Sequence, residues 1–290
     1  MTHARHVIEQ LSRQVENLSP SMQQAALAIL DSPNDVAVDS MRSLAGKAKV
    51  SPPTMLRLAK RLGFENYEAF RDVFRDSVTR GGYGERANEL REAAQEGGIA
   101  GLIAETVNAA ENGMDRLLKP AFVHEIERVA EVLIEGRQSI VVASGASFGQ
   151  AVTFRYVCRM ALPNLDIAGG LGVRAVDDVA LLGPGDAVLA VTTSPYAAST
   201  VDAARFAKDR GAAVAAVSDS RSSPIGQFAD AVAVIETHSP HYFPSMIALN
   251  AALEILSAVI TVKLGNQGIG AITDYEKALR SNQYYLEDIT

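Results

Sequence analysis

Residues 40–64, SMRSLAGKAKVSPPTMLRLAKRLGF, hold six basic side chains (Arg42, Lys47, Lys49, Arg57, Lys60 and Arg61) and no acidic one. A chain of 290 residues with a formal charge of -7 thus concentrates positive charge in one short stretch. Cations so placed suit the phosphates of a nucleic acid, where each neutralised phosphate releases counterions. A second set of chemistry-bearing residues lies further on. Ser144-Gly145-Ala146-Ser147, Thr192-Thr193-Ser194 and Ser218-Asp219-Ser220 each end an apolar or β-branched run and are rich in hydroxyls. Hydroxyls and backbone amides in such positions hold a phosphate or carboxylate without a neighbouring cation.

The elements around the first patch follow from cap and turn chemistry. Met41, Leu44 and Ala45 share one face of a short helix, and Val50 closes the turn after it. Ser51 is a good N-cap, and Pro52 fits the first helical position, where its missing N–H costs nothing. Along the helix that starts there, Met55, Leu58, Ala59 and Leu62 face inward at helical spacing. Pro53, Thr54, Arg57, Lys60 and Arg61 are left outside, and Gly63 ends the helix. Two helices joined so tightly make a helix-turn-helix, whose second helix enters the major groove with its N-terminal residues at base edges. A basic run alone is usually just a solvated helix face. The cap, the turn and the inward stripe together point to double-stranded DNA, read as a palindromic operator.

The hydroxyl-rich loops belong to a different texture. Up to residue 80, apolar residues recur at three- and four-residue spacings, as in Val7, Leu11, Val15, Leu18 and Tyr67, Phe70, Phe74, Val78. This predicts an all-helical first domain over 1–80. GGYGERANELREAAQEGG, residues 81–98, reads as a hinge or frayed connecting helix and opens a linker over 81–119. Beyond it, SIVVAS (139–144), LDIAG (165–169), AVLAVTT (187–193), AAVAAVS (212–218) and AVAVI (231–235) alternate with helical segments. Continuous apolar runs separated by helices predict a five-stranded parallel sheet flanked by helices, an α/β domain over 120–265. Residues 266–290 read as one more helix.

In such a sheet, ligands bind outside the carboxyl ends of the strands, where all three hydroxyl-rich loops fall. Each loop either caps the helix that follows or uses that helix's free amides to hold an anion. The first two contain no lysine or arginine, the nearest further along the chain being Arg155 and Arg205, so neutral donors carry most of the binding. No glycine trio with an acid about 20 residues on is present, so no nicotinamide cofactor is expected.

Residues 1–80 hold 11 basic and 9 acidic side chains and residues 81–290 hold 16 and 25, which suggests two parts with different partners. The single cysteine, Cys158, excludes an internal disulfide and a zinc–thiolate cluster and fits a reducing cytoplasm. MTHARHVIEQLSRQ lacks the apolar run of an export signal. MIALNAALEILSAVITV carries Asn250 and Glu254 and reads as a buried core helix rather than a membrane span.

SMRSLAGKAKVSPPTMLRLAKRLGFENYEAFR resembles the helix-turn-helix of the RpiR (MurR/RpiR) family of bacterial transcriptional regulators. Leu44, Ala45, Val50, Ser51, Thr54, Arg57, Leu62, Gly63, Phe64 and Phe70 stand where that pattern requires. The resemblance implies Ser51, Thr54 and Arg57 as base or phosphate contacts, with Lys47, Lys60 and Arg61 as backbone partners. Pro53 departs from it and removes a second amide. Residues 120–265 resemble a SIS (sugar isomerase) domain, the usual C-terminal partner of that helix-turn-helix, with SGAS matching its first phosphate loop. The second loop, TTSPYAAST, has Pro195 and Tyr196 where many members carry a glycine and its neighbour; some relatives have a similar PYS.ET-like loop. SDSRSSPIGQFAD matches the third strand end. The ligand set so implied is Ser144, Gly145, Ser147, Thr192, Thr193, Ser194, Tyr196, Ser218, Ser220 and Ser223.

Two further features each admit two readings. His238 and His241 in THSPHYFPSM lack a third ligand nearby, so a ligand-lining or subunit-interface loop is favoured over a metal. Glu254 resembles in position the carboxylate that SIS-fold isomerases use as a base, and a buried glutamate paired with Arg155 or Arg159 explains it equally. No residue is assigned as catalytic, and no metal or cofactor is expected. The expectation is a cytoplasmic, non-enzymatic DNA-binding regulator, a homodimer or homotetramer held by its second domain and off the membrane. Its effector is a small anionic metabolite, a sugar phosphate or related carboxylate. The alternatives are a sugar-phosphate isomerase with a helical appendage and, more remotely, an amino-sugar phosphate hydrolase or lyase.

Overall fold

The computed structural model describes residues 3–31, 33–79, 82–170, 173–282 and 284. They fall into two compact units, one of residues 1–108 with the short segments 220–223 and 239–244, the other of the remainder. The boundary expected at 80/81 lies on two residues outside those described.

The first unit is built from helices α1 (His3–Gln14), α2 (Pro20–Asp31), α3 (Pro33–Val38), α4 (Met41–Lys47), α5 (Pro52–Arg61) and α6 (Tyr67–Thr79), with a 3-10 turn at Val15–Asn17. Their apolar stripes converge on one core, in which Leu11, Leu44, Met55, Leu58, Phe70 and Phe74 are buried. Phe70 stacks at 5.3 Å from Phe64 and 5.0 Å from Phe74. Truncating a leucine as deeply buried as Leu58 costs about 2–5 kcal/mol. Val15, Met41 and Val50 pack against the core only in part, and the Val78 side chain is outside the description.

Helices α4 and α5 end in the same way, and this fixes the turn between them. The amides of Lys49 and Val50 donate to the carbonyls of Gly46 and Ala45 at 3.1 and 2.9 Å, and those of Gly63 and Phe64 donate to Lys60 and Ala59 at 3.0 and 3.1 Å. Both are paired hydrogen bonds of the Schellman kind, which need a left-handed residue one place past the cap. At the end of α5 that residue is Gly63, φ 96°; at the end of α4 it is Lys49, φ 52°. The two positions predict opposite results. Gly63→Ala should lose about 1–2 kcal/mol to the steric clash of a Cβ in that region. Lys49→Gly should gain about 0.5–1 kcal/mol, because the relief exceeds glycine's larger unfolded entropy. Urea midpoints of the two variants check this, and shifts of the same sign would refute it.

Helix α7 (Tyr83–Leu117) runs through the segment read as a hinge or frayed connecting helix, and its helical backbone breaks at Gly98. After it come α8 (Pro120–Glu135), β1 (Ser139–Ala143), α9 (Ala146–Cys158), β2 (Leu165–Ile167), α10 (Ala175–Val179), β3 (Ala187–Val191), α11 (Ala198–Asp209), β4 (Ala213–Ser218), β5 (Ala231–Val234), α12 (Ile247–Leu264) and α13 (Asn266–Ser281). The five strands are those expected. They pair in parallel in the order β2-β1-β3-β4-β5. Their side chains alternate between two cores. Val141, Ala143, Leu189, Val191, Ala215 and Val217 meet α8, α9 and α12, while Ile140, Val142, Val188, Ala190, Val214 and Ala216 meet α10 and α11.

Strand β5 is an edge, and its outer hydrogen-bonding groups are partly covered. The Val234 amide donates to Glu125 Oε2 at 2.8 Å, and Arg116 Nε donates to the Val234 carbonyl at 3.1 Å. Two side chains thus occupy the place where another strand would pair. Helix α12 is long and apolar enough to cross a membrane, but Leu249, Ala252, Leu253, Leu256 and Ile260 bury its inner face in the core. Cys158 lies in the same core, and burial pushes its thiol up to about 12, against a bond with Ser257.

Candidate nucleic-acid interface and anion crevice

In the helix-turn-helix the basic residues separate into two groups. Arg57, Lys60 and Arg61 are exposed on α5, and among the described residues no carboxylate forms a salt bridge with them. Lys47 differs from expectation. Its Nζ lies 2.9 Å from Asp35 Oδ2 and 2.7 Å from Asp39 Oδ2, so its charge is already matched. The acids stand on α3 and just before α4, upstream of the acid-free stretch, and the fold brings them to Lys47.

The start of α5 also departs from the simple capping picture. Ser51 has the extended backbone of an N-cap, φ -80° and ψ 148°, but its side chain caps no amide. Pro53 has no N–H to offer, and the Thr54 amide is taken by the Ser51 carbonyl at 2.9 Å. The Ser51 hydroxyl instead pairs with the Thr54 hydroxyl at 2.9 Å. Thr54, expected outside, is buried, with 3% of its surface exposed. Arg57 Nη2 donates to Thr54 Oγ1 at 3.2 Å. Sequence spacing placed Thr54 on the polar side; its hydroxyl is withdrawn between Ser51 and Arg57.

In the second unit the chain turns from one side of β1 to the other between β2 and β3, so the carboxyl ends of β1 and β3 flank the topological switch point of the sheet. The loop after β1 carries Ser144, Gly145 and Ser147, and the loop after β3 carries Thr192, Thr193, Ser194 and Tyr196. They meet through hydroxyls. Ser144 Oγ shares a 2.8 Å hydrogen bond with Ser199 Oγ and accepts a second from Thr200 Oγ1 at 3.0 Å. Ser199 and Thr200 lie in the first turn of α11, and Ser147 lies in the first turn of α9. The first amides of a helix lack intrahelical partners, so two sets of N–H groups and three bonded hydroxyls gather here. Gly145 opens α9 with φ 60°, and a Cβ there would meet nothing within 4 Å, leaving the backbone open to an approaching group. The first basic residues downstream of the two loops are engaged elsewhere: Arg155 pairs with Asp166 at 3.0 Å, and Arg205 sits 4.2 Å from the Phe228 ring centre.

Ser147 is buried at the start of α9, and so is Thr200 within the hydroxyl cluster. Thr192, Thr193 and Ser218 are buried at the ends of β3 and β4. Ser220 and Ser223 are buried in the following turn, which groups with the first unit; Ser223 has 0% of its surface exposed, and the Ser220 hydroxyl accepts from the Ser222 amide at 3.0 Å. Glu254 is exposed on α12 and accepts from Asn250 Nδ2 at 2.8 Å, not from an arginine.

Sequence reasoning passed over three residues here. Ser199 and Thr200 were visible only as the end of TTSPYAAST, and their role needs α11 to begin at Ala198. Asp219 was seen as part of a hydroxyl-rich strand end. It is buried, with 7% exposed, and accepts from the Ser194 amide at 3.2 Å, from the Ser218 hydroxyl at 3.4 Å and from Tyr196. Burial raises its pKa from the ordinary carboxylate value, and these hydrogen bonds oppose the rise.

Residues 5–80 match the helix-turn-helix domain of the rpiR family, and residues 133–262 match the SIS domain. The HTH-type transcriptional regulator HexR of Pseudomonas aeruginosa is 22% identical over 289 residues, 98% of this chain and 99% of the relative. The sugar isomerase domain of an RpiR transcription factor from Sphaerobacter thermophilus covers 61% of this chain and 98% of its own, at 24% identity and a TM-score of 0.55. The NanR protein of Vibrio vulnificus, complexed with ManNAc-6P, covers 96% and 100%, at 16% identity and a TM-score of 0.52. At these identities the solved structures bear on the fold alone, and they agree with the parallel sheet and its flanking helices. With an rpiR-type helix-turn-helix ahead of a SIS domain, the chain belongs to the RpiR family of DNA-binding transcriptional regulators.

Proposed function

We propose that this regulator binds an operator through α5 and takes a sugar phosphate or a related small carboxylate as effector at the carboxyl ends of β1 and β3. The observation that carries the effector reading is the meeting of Ser144, Ser199 and Thr200 where α9 and α11 begin. Hydroxyls and helix amides bind a tetrahedral anion in this way, and the sugar-phosphate complex of NanR, which has the same fold, supports the class. The protein acts without catalysis, in the cytoplasm: the chain aligns with the regulator HexR over nearly its whole length, and Glu254, the candidate base, sits exposed and bonded to Asn250.

The second unit joins two or four copies, so that a pair of α5 helices meets a palindrome. Val152, Tyr156 and Val157 on α9 and Val262 on α12 expose apolar surface suited to this. The test is a thermal-shift series of sugar phosphates, sugar acids and inorganic phosphate against wild type and Ser144→Ala, with gel shifts on DNA flanking the gene. An effector should raise the melting temperature of wild type, alter its gel shift, and act weakly on the variant. Equal action on both proteins would remove the crevice as the sensing site, and a monomer in light scattering would remove the assembly.

A further inference from the structure

We propose that Thr54 sets the sequence discrimination of α5 without touching DNA, by holding the Arg57 guanidinium in one orientation. The inference rests on the DNA-binding reading of α5 and changes the part that Thr54 plays in it. Thr54 is 3% exposed, which leaves little surface for a base. Its hydroxyl has one proton and two lone pairs, and two partners already use it: Ser51 Oγ at 2.9 Å and Arg57 Nη2 at 3.2 Å.

The relay follows from the two prolines. Because Pro53 offers no amide and the Thr54 amide goes to the Ser51 carbonyl, the Ser51 side chain turns to the Thr54 hydroxyl. That hydroxyl is thereby oriented and receives Arg57 from the next turn. An arginine side chain is long and samples many rotamers, whereas discrimination of guanine needs its planar fork presented bidentate in one pose. Anchoring one Nη of Arg57 leaves the remaining N–H groups in a fixed fan at the exposed face. Lys60 and Arg61, which have no such anchor among the described residues, act as charges that do not distinguish sequences.

Thr54→Val keeps the shape and removes the hydroxyl, Thr54→Ser keeps the hydroxyl, and Arg57→Ala removes the reader. The full chain is used, with a duplex enriched by wild type from a randomised library and a scrambled duplex of equal length, over a salt series. The valine variant should bind the scrambled duplex as wild type does, with the same salt slope, and its preference for the enriched duplex should fall about tenfold. The serine variant should restore that preference. Unchanged scrambled binding doubles as the check that the valine variant is folded, and a merely structural threonine would weaken both duplexes together. Full discrimination by Thr54→Val, equal losses in Thr54→Val and Thr54→Ser, or full discrimination by Arg57→Ala would each overturn the proposal. Failure of wild type to enrich any duplex would overturn the DNA-binding reading itself.

Discussion

Alanine at Arg57, Lys60 and Arg61 together should lower DNA affinity by about 100-fold or more, whereas alanine at Lys47 should leave its salt dependence unchanged. A base-reading arginine is worth about 1–3 kcal/mol, and each phosphate contact adds about 0.9 to the salt slope. Losing three cations from one α5 helix should therefore flatten the slope by up to about 2.7, and by twice that in a dimer using both heads. Lys47 carries the same charge and lies closer to the turn. Its Nζ is held between Asp35 and Asp39 at 2.9 and 2.7 Å, so little charge is left for a phosphate to neutralise. Lys47→Ala should instead destabilise the head, because it leaves two carboxylates facing each other. Binding isotherms at several salt concentrations for the triple variant and Lys47→Ala decide the matter. A slope that falls as much for Lys47→Ala as for an α5 cation would mean that the ion triad opens on DNA.

That contrast shows where a linear reading of charge stops. The helix-turn-helix was legible because its signals are local: Pro52 starts a helix, Gly63 stops it, and Leu44, Met55, Leu58 and Leu62 repeat at helical spacing. The five strands were legible for a similar reason, since a strand covered on both faces becomes a continuous apolar run, as Ala187–Val191 does. What the sequence hid depends on contacts between distant segments. Asp35 and Asp39 reach Lys47 only once α3 and α4 have folded together. Thr54 looked exposed because helical spacing assigns a face and says nothing of a hydroxyl drawn back between two neighbours. Glycine and charge content left residues 81–98 open between a hinge and a frayed connecting helix, and only the fold shows that 83–97 are helical up to the break at Gly98. In the crevice the hydroxyl-rich strand ends were found, but the residue that organises them was not. A carboxylate among serines gives no periodic signal, and its burial is a tertiary fact.

Asp219→Ala should uncouple the crevice from its loop, with a loss of stability on the order of 3 kcal/mol or more. Removing the carboxylate leaves the Ser194 amide and the Ser218 and Tyr196 hydroxyls without their acceptor, and a buried donor so stranded costs about 1–3 kcal/mol. Amide exchange over residues 192–197 should accelerate in this variant, and stabilisation by an effector should disappear. Asp219→Asn separates shape from charge, since one oxygen still accepts from Ser194 while the new NH2 donates to Ser218. The pH dependence then has a definite sign. Burial raises the folded pKa of Asp219, so the folded protein binds the proton more tightly than the unfolded chain does. Its contribution is therefore greatest below the unfolded value, about 3.9, and is lost as the pH rises through the raised folded value. Asparagine has no proton to lose, so the stability of Asp219→Asn relative to wild type should improve as the pH rises across that window and stay constant above it. Melting temperatures of the two proteins between acid and neutral pH measure the difference, in which every other titrating group cancels. Parallel profiles would mean that Asp219 titrates alike in the folded and unfolded chain, and the carboxylate under the Ser194–Tyr196 loop would then be solvated rather than buried.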